Sequence, residues 1–116
     1  MKRVYVAGAM SSSNPIAFLE NLRKGMRLST ECLLAGYAVF SPFIDYSLFF
    51  QLRDGEYIPL DVIQGNSMAW VEVSDCLLVA EGWESSRGTE KEIANAVRLG
   101  IPVYFSLDNL KQEMPA

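Results

Sequence analysis

The stretch SDCLLVAEGWESSRGTEKEIANAVRLGIPVYF, residues 74–105, decides the fold. Cys76-Leu77-Leu78-Val79-Ala80 is an unbroken apolar run of strand length, as expected of a strand covered on both faces. A polar loop, Glu81 to Arg87, follows it. From Thr89 to Leu99 the residues Ile93, Ala96 and Val97 suit the inward side of a helix. Gly100 ends that helix, and Ile101-Pro102-Val103-Tyr104-Phe105 is the next strand.

The same alternation continues towards the N-terminus. Val4-Tyr5-Val6-Ala7 is a short buried strand that stops at Gly8. Ser11-Ser12-Ser13-Asn14-Pro15 supplies a helix start, with Pro15 suited to the first helical position. Phe18, Leu22, Met26 and Cys32/Leu33 mark a helix that Gly36 terminates, and Tyr37-Ala38-Val39-Phe40 is a further strand. Phe43 to Tyr57 is the least regular segment, expected to form a short helix and a loop ending at Asp54-Gly55. Pro59 to Val73 reads as a helix through Ile63, Ser67, Trp70 and Val71, weakened by Gly65. The residues after Phe105 form a tail or short helix. Strands alternating with helices predict an α/β fold: one domain over residues 1–116, a three-layer sandwich around a Rossmann- or flavodoxin-like parallel sheet of four to five strands.

Composition narrows the chemistry. Half of the 116 residues are hydrophobic and 21% are charged, enough apolar material for a core without staples. Ten Lys and Arg against 14 Asp and Glu give a net charge of −4. The longest basic grouping, Arg23-Lys24 with Arg27, lies on a helix face, so duplex nucleic acid is not an expected partner. The chain contains no histidine, which excludes Ser-His-Asp and Cys-His catalysis and His-ligated metals. Cys32 and Cys76 sit in apolar runs without metal-ligand spacing and read as reduced core thiols. No metal or other cofactor is implied. No apolar stretch approaches the ~20 residues of a membrane span, and Met1-Lys2-Arg3 leads into a strand rather than a signal-peptide core. A cytoplasmic location away from membranes is expected.

In a parallel sheet, ligands gather beyond the carboxyl ends of the strands, where strand order reverses. Two loops are expected to meet there. Gly8-Ala9-Met10-Ser11-Ser12-Ser13 joins a strand to a helix start, and its amides and hydroxyls suit an anion. The bland alternative is that Ser13 or Asn14 caps the helix while the other serines are solvated. This loop lacks GxGxxG and the P-loop lysine, so neither a dinucleotide nor a magnesium-bound triphosphate is indicated. The second loop, Trp83-Glu84-Ser85-Ser86-Arg87-Gly88, adds hydroxyls, a glycine amide and a guanidinium suited to phosphate. Glu92 follows about one turn into the helix. Spacing leaves its role open, because Thr89-x-x-Glu92 is also a capping box.

Three segments together resemble the nucleoside 2-deoxyribosyltransferase superfamily: Val4-Tyr5-Val6-Ala7-Gly8, Ser74-Asp75-Cys76-Leu77-Leu78-Val79, and Ser86-Arg87-Gly88-Thr89-Glu90-Lys91-Glu92-Ile93-Ala94-Asn95-Ala96. The nearest branch in pattern is that of small, mostly uncharacterised phage and bacterial members. Their Gly-Trp pair, Ser-Arg-Gly and helix glutamate stand here as Gly82-Trp83 through Glu92. The resemblance implies that Glu92 attacks the anomeric carbon of a nucleoside, forming a glycosyl ester that water or a second base resolves. It also implies a substrate-binding set of Gly8, Met10, Ser11, Ser12, Ser13, Ser67, Trp83, Ser86, Arg87 and Gly88. Members using unphosphorylated nucleosides carry a carboxylate where Ser86 stands, whereas the nucleoside 5′-monophosphate hydrolases carry serine. A carboxylate would repel a phosphate that Ser86 and Gly88 could hold. Gly88-Thr89-x-x-Glu92 is also similar to part of the phosphate-binding motif of cytokinin-activating phosphoribohydrolases, without the preceding double glycine. The expected activity is hydrolysis of a nucleoside 5′-monophosphate, with base exchange between deoxynucleosides, or non-catalytic nucleotide binding, as the alternatives. Glu92, near a helix N-terminus, is expected to remain ionised.

One departure concerns the leaving base. Where relatives place an aspartate eight residues ahead of the residue matching Asp75, this chain has Ser67, which cannot act as a general acid near neutral pH. Asp45, Asp61, Glu81 and Glu84 are the other carboxylates to consider. Asp75 reads as a cap or turn residue, and Trp83 either stacks on a base or anchors its loop. The aromatic cluster Phe43 to Phe50 is expected to cover the base and to contribute to a homodimer or higher homo-oligomer.

Overall fold

Residues 1–116 are described by a computed structural model. Its strands β1 (Arg3–Ala7), β2 (Ala38–Phe40), β3 (Cys76–Val79) and β4 (Val103–Tyr104) form one sheet in the order β2-β1-β3-β4. All pairs are parallel: Val4 lies opposite both Val39 and Cys76, and Leu77 lies opposite Val103. Strand order reverses between β1 and β3, the place where such a sheet opens a crevice at its carboxyl edge.

Period-two alternation along the central strands builds two cores. Val4, Val6, Cys76 and Leu78 pack on one face with Cys32, Tyr37, Phe43 and Leu110. Tyr5, Ala7, Leu77 and Val79 pack on the other with Val71 and Ala96. Helices α1 (Pro15–Leu34) and α5 (Leu107–Glu113) cover the first face, and α3 (Leu60–Glu72) and α4 (Arg87–Arg98) cover the second. The α/β sandwich is therefore as expected, with four strands. Neither cysteine is paired, and both are buried. No helix is long and apolar enough to cross a membrane.

Several element boundaries have local causes. Asn14, rather than Ser13, caps α1, its side chain accepting from the Ile16 and Ala17 amides, and Pro15 opens the helix. The inward face of α1 runs through Gly25, Ser29 and Cys32, while Met26 and Leu33 turn outward. The phase follows from Gly25, where a Cβ would overlap the Phe43 ring. Small residues face the sheet there because Phe43 fills the gap. After β2, Pro42–Ile44 makes one 3-10 turn, and α2 (Tyr46–Phe49) adds a single helical turn. On α3 the buried position is Val71, whereas Trp70 is half exposed and stacks on Phe40. The last strand shrinks to two residues because Pro102 has no amide to donate, although its carbonyl accepts from Leu77.

Candidate active site

The carboxyl ends of β1 and β3 lead into the two loops that flank the switch point. Gly8 leaves β1 in close contact with β3, since a Cβ there would sit 3.0 Å from the Ala80 Cβ and 3.1 Å from the Phe43 ring. After β3 the chain turns at Gly82, with φ +84°, and makes a 3-10 turn over Trp83–Ser85 before entering α4. Between the loops, roofed by α2 and α3, lies a cavity of about 440 Å³, within the range of small-molecule sites.

Ser86 is the residue that starts α4. Its Oγ accepts from the Thr89 amide at 3.2 Å, and the Thr89 hydroxyl donates to the same oxygen at 2.9 Å. The helix thus begins at Arg87, two residues before the expected start. Because Ser86 already caps the helix, the alternative in which Glu92 folds back on Thr89 is not realised. Glu92 lies in the second turn, 9% exposed, and accepts a hydrogen bond from the Tyr5 hydroxyl of β1. A carboxylate facing the cavity has been freed from any capping duty.

The environment of Glu92 works against the expectation that it stays fully ionised. Burial raises its pKa from 4.5 to about 7, and the Tyr5 hydrogen bond acts in the opposite direction. The helix dipole acts within the first turn and Glu92 lies beyond it, so desolvation wins. Tyr5 is itself held well above the ordinary phenol value by burial and then by the neighbouring Glu92 charge, while Ser67 pulls it down. Tyr5 therefore remains a protonated donor to Glu92 throughout the physiological range. A stack of rings fixes its position: Phe40 lies 5.4 Å from Tyr5 and 4.9 Å from Trp70, both near parallel.

The cavity brings together Gly8, Met10, Ser11, Ser67, Ser86, Arg87, Gly88 and Glu92. Three expected residues stand elsewhere. Ser12 accepts from the Asn14 amide and is exposed, and Ser13 is exposed without lining the cavity. Trp83 packs tilted against Phe105 at 5.6 Å and against the core, so it anchors its loop. Asp75 accepts from the Arg3 amide at 2.6 Å, a structural role. The aromatic cluster divides by depth: Phe43 joins the core, Tyr46 and Phe49 line the cavity, and Leu48 and Phe50 point outward. Of the four loop and helix carboxylates considered beside Ser67, only Asp45 reaches the cavity.

Sequence reasoning missed Tyr5, Gln64, Met68 and Lys91. The signal for Tyr5 was a single hydroxyl inside the otherwise aliphatic run Val4 to Ala7. No group of three or more metal-ligating side chains is assembled anywhere in the fold.

The architecture is similar to that of a conserved protein from Enterococcus faecalis V583 with a crystal structure. The identity is 20%, the TM-score 0.71, and the match covers 98% of this chain and 76% of that one. No curated protein matches the chain. Residues 2–105, which include both loops, the cavity wall and Glu92, match the family described as Domain of unknown function (DUF4406), and the chain belongs to that family.

Proposed function

We propose that the protein hydrolyses the N-glycosidic bond of a nucleoside or deoxynucleoside 5′-monophosphate, releasing free base and sugar 5-phosphate. The observation that carries this reading is Glu92: a buried carboxyl at the cavity wall, held by a tyrosine hydroxyl and unused by the helix cap. An oxocarbenium-like transition state calls for a carboxylate against the anomeric carbon. Glu92 supplies it, and the Tyr5 hydroxyl orients it. Attack forms an ester between Glu92 and the sugar while the base departs, and water then cleaves that ester.

The rim suits the phosphate. Arg87 brings a guanidinium to the cavity, and Lys91 adds a second cation one turn further along α4. Gly88 has a negative φ and open space where a side chain would stand. Neither packing nor backbone demands glycine there, so its use in this reading is to expose the amides at the helix start. The buried, unpaired thiols fit a reducing cytoplasm. The apolar stripe Val62, Trp70 and Val73 on the outer side of α3 supports a homodimer or higher homo-oligomer.

The test is chromatography of free base after incubation with a panel of nucleoside and deoxynucleoside 5′-monophosphates, including modified pyrimidines. Wild-type protein is expected to release base from at least one, and Glu92→Ala from none. Nucleotide binding without release would favour the binding module, and a new nucleoside formed on adding a second free base would favour exchange.

A further inference from the structure

Breaking a bond between C1′ and a base nitrogen leaves the base with the bonding electron pair, and at neutral pH most bases need a proton to leave. Glu92 cannot both attack the sugar and donate that proton in the same step. Ser67, in the cavity wall on α3, has no proton to give near neutral pH. A second acid is therefore required, and the structure discriminates among the carboxylates available. Asp61 is exposed at the start of α3, and its side chain accepts from the Val62 amide. Glu81 and Glu84 are exposed and lie outside the cavity.

Asp45 differs from all three. It stands between the 3-10 turn Pro42–Ile44 and α2, half-buried, and it lines the same cavity as Glu92. Its carboxyl makes no capping hydrogen bond to α2, although it occupies the cap position. It also takes no part in the one ion pair of the fold, Arg27 with Glu31. A partly desolvated carboxyl without a structural partner is costly to keep, which makes its placement opposite the cavity informative. Burial raises its pKa above the ordinary aspartate value, the direction that favours carrying a proton.

Resting on the glycosidase reading above, we propose that Asp45 is the general acid that protonates the departing base. In the first step the C1′–N bond breaks, its electron pair leaves with the base nitrogen, and the Asp45 proton passes to the base. A C1′–O bond to the Glu92 carboxylate forms at the same carbon. In the second step water attacks C1′, the bond to Glu92 breaks, and the water proton returns to Asp45. The charged and titratable groups facing the cavity beside Asp45 are Tyr46 from α2, and Arg87, Lys91 and Glu92 from α4, with the fully buried Tyr5 of β1 behind Glu92. Helix α3 contributes only uncharged residues: Leu60, Ile63, Gln64, Ser67 and Met68. The reactive form in this scheme has Asp45 protonated and Glu92 ionised, and activity is expected to be bell-shaped in pH.

The test uses the nucleotide that the wild type cleaves fastest. Asp45→Asn is expected to lower kcat by about a hundredfold or more and to abolish the alkaline limb of the pH profile. Asp45→Glu is expected to restore part of both, and circular dichroism is expected to show the same fold throughout. A further arm compares a nucleotide whose base is already cationic through ring methylation: its release is expected to be nearly insensitive to Asp45→Asn, yet lost in Glu92→Gln. If Asp45→Asn keeps its rate within threefold and its alkaline limb, while Glu92→Gln is inactive, the assignment of Asp45 is overturned and the glycosidase reading stands. A wild type that releases no base, or a fully active Glu92→Gln, overturns both.

Discussion

At the residue scale, the burial of the Glu92 carboxyl costs stability. Its carboxyl titrates at about 7 in the folded protein against an ordinary 4.5. Between those values the folded state holds a proton that the unfolded state has released, so unfolding free energy falls as pH rises through that window. The full shift corresponds to a penalty on the order of 3 kcal/mol, complete above pH 7. Glu92→Gln removes the charge and preserves the shape. Denaturant titrations are expected to show the variant more stable than wild type at pH 8, by ~2–3 kcal/mol, with the difference fading towards pH 4. An advantage that grew as the pH was lowered would contradict the burial of this group. In the proposed reaction Tyr5 orients Glu92, and Asp45 serves the leaving base.

At the scale of elements, α1 is set by what it leaves out. Alanine is normally about 1 kcal/mol better than glycine inside a helix, so Gly25→Ala would stabilise an isolated α1. In the folded chain the added methyl overlaps the Phe43 ring, which is 2% exposed and held between α1 and the sheet. Phe43 also touches the space beside Gly8, so displacing it disturbs the loop that follows β1. Thermal melts are expected to show Gly25→Ala destabilised by about 1–3 kcal/mol despite its better propensity. A variant more stable than wild type would mean that the ring finds another place at little cost. Helix α4 shows the complementary case: its start is decided by Ser86, and that choice turns Glu92 from a cap into a cavity residue.

At the scale of the whole molecule, two helices cover each face of a four-stranded sheet, and α3 leaves several apolar side chains exposed. Val62, Trp70 and Val73 recur there with helical spacing, 54%, 47% and 52% exposed. Equilibrium sedimentation is expected to find wild type associated, and the double variant Val62→Glu, Val73→Glu monomeric with an unchanged circular dichroism spectrum. A monomeric wild type would remove self-association from the proposal without touching the cavity.

Much of this protein was legible in the order of its residues, because runs, periods and stop signals are local properties. The apolar runs 4–7 and 76–80, the glycines and prolines between them, and the absence of histidine determined the α/β class, the two loops worth reading and the type of catalysis left open. Gly8, Ser86, Gly88 and Glu92 could be placed near the cavity for that reason, since they sit at or close to strand ends and helix starts. Tertiary structure decided what depends on neighbours distant in sequence. Tyr5 reaches Glu92 across 87 positions, so neither the hydrogen bond nor the burial that raises the Glu92 pKa could be read from spacing. Asp45 was separated from Asp61, Glu81 and Glu84 only when the segment after β2 folded over the crevice. The same packing moved Trp83 and Ser12 away from it, because local patterns place a residue on an element whereas packing decides which way it faces.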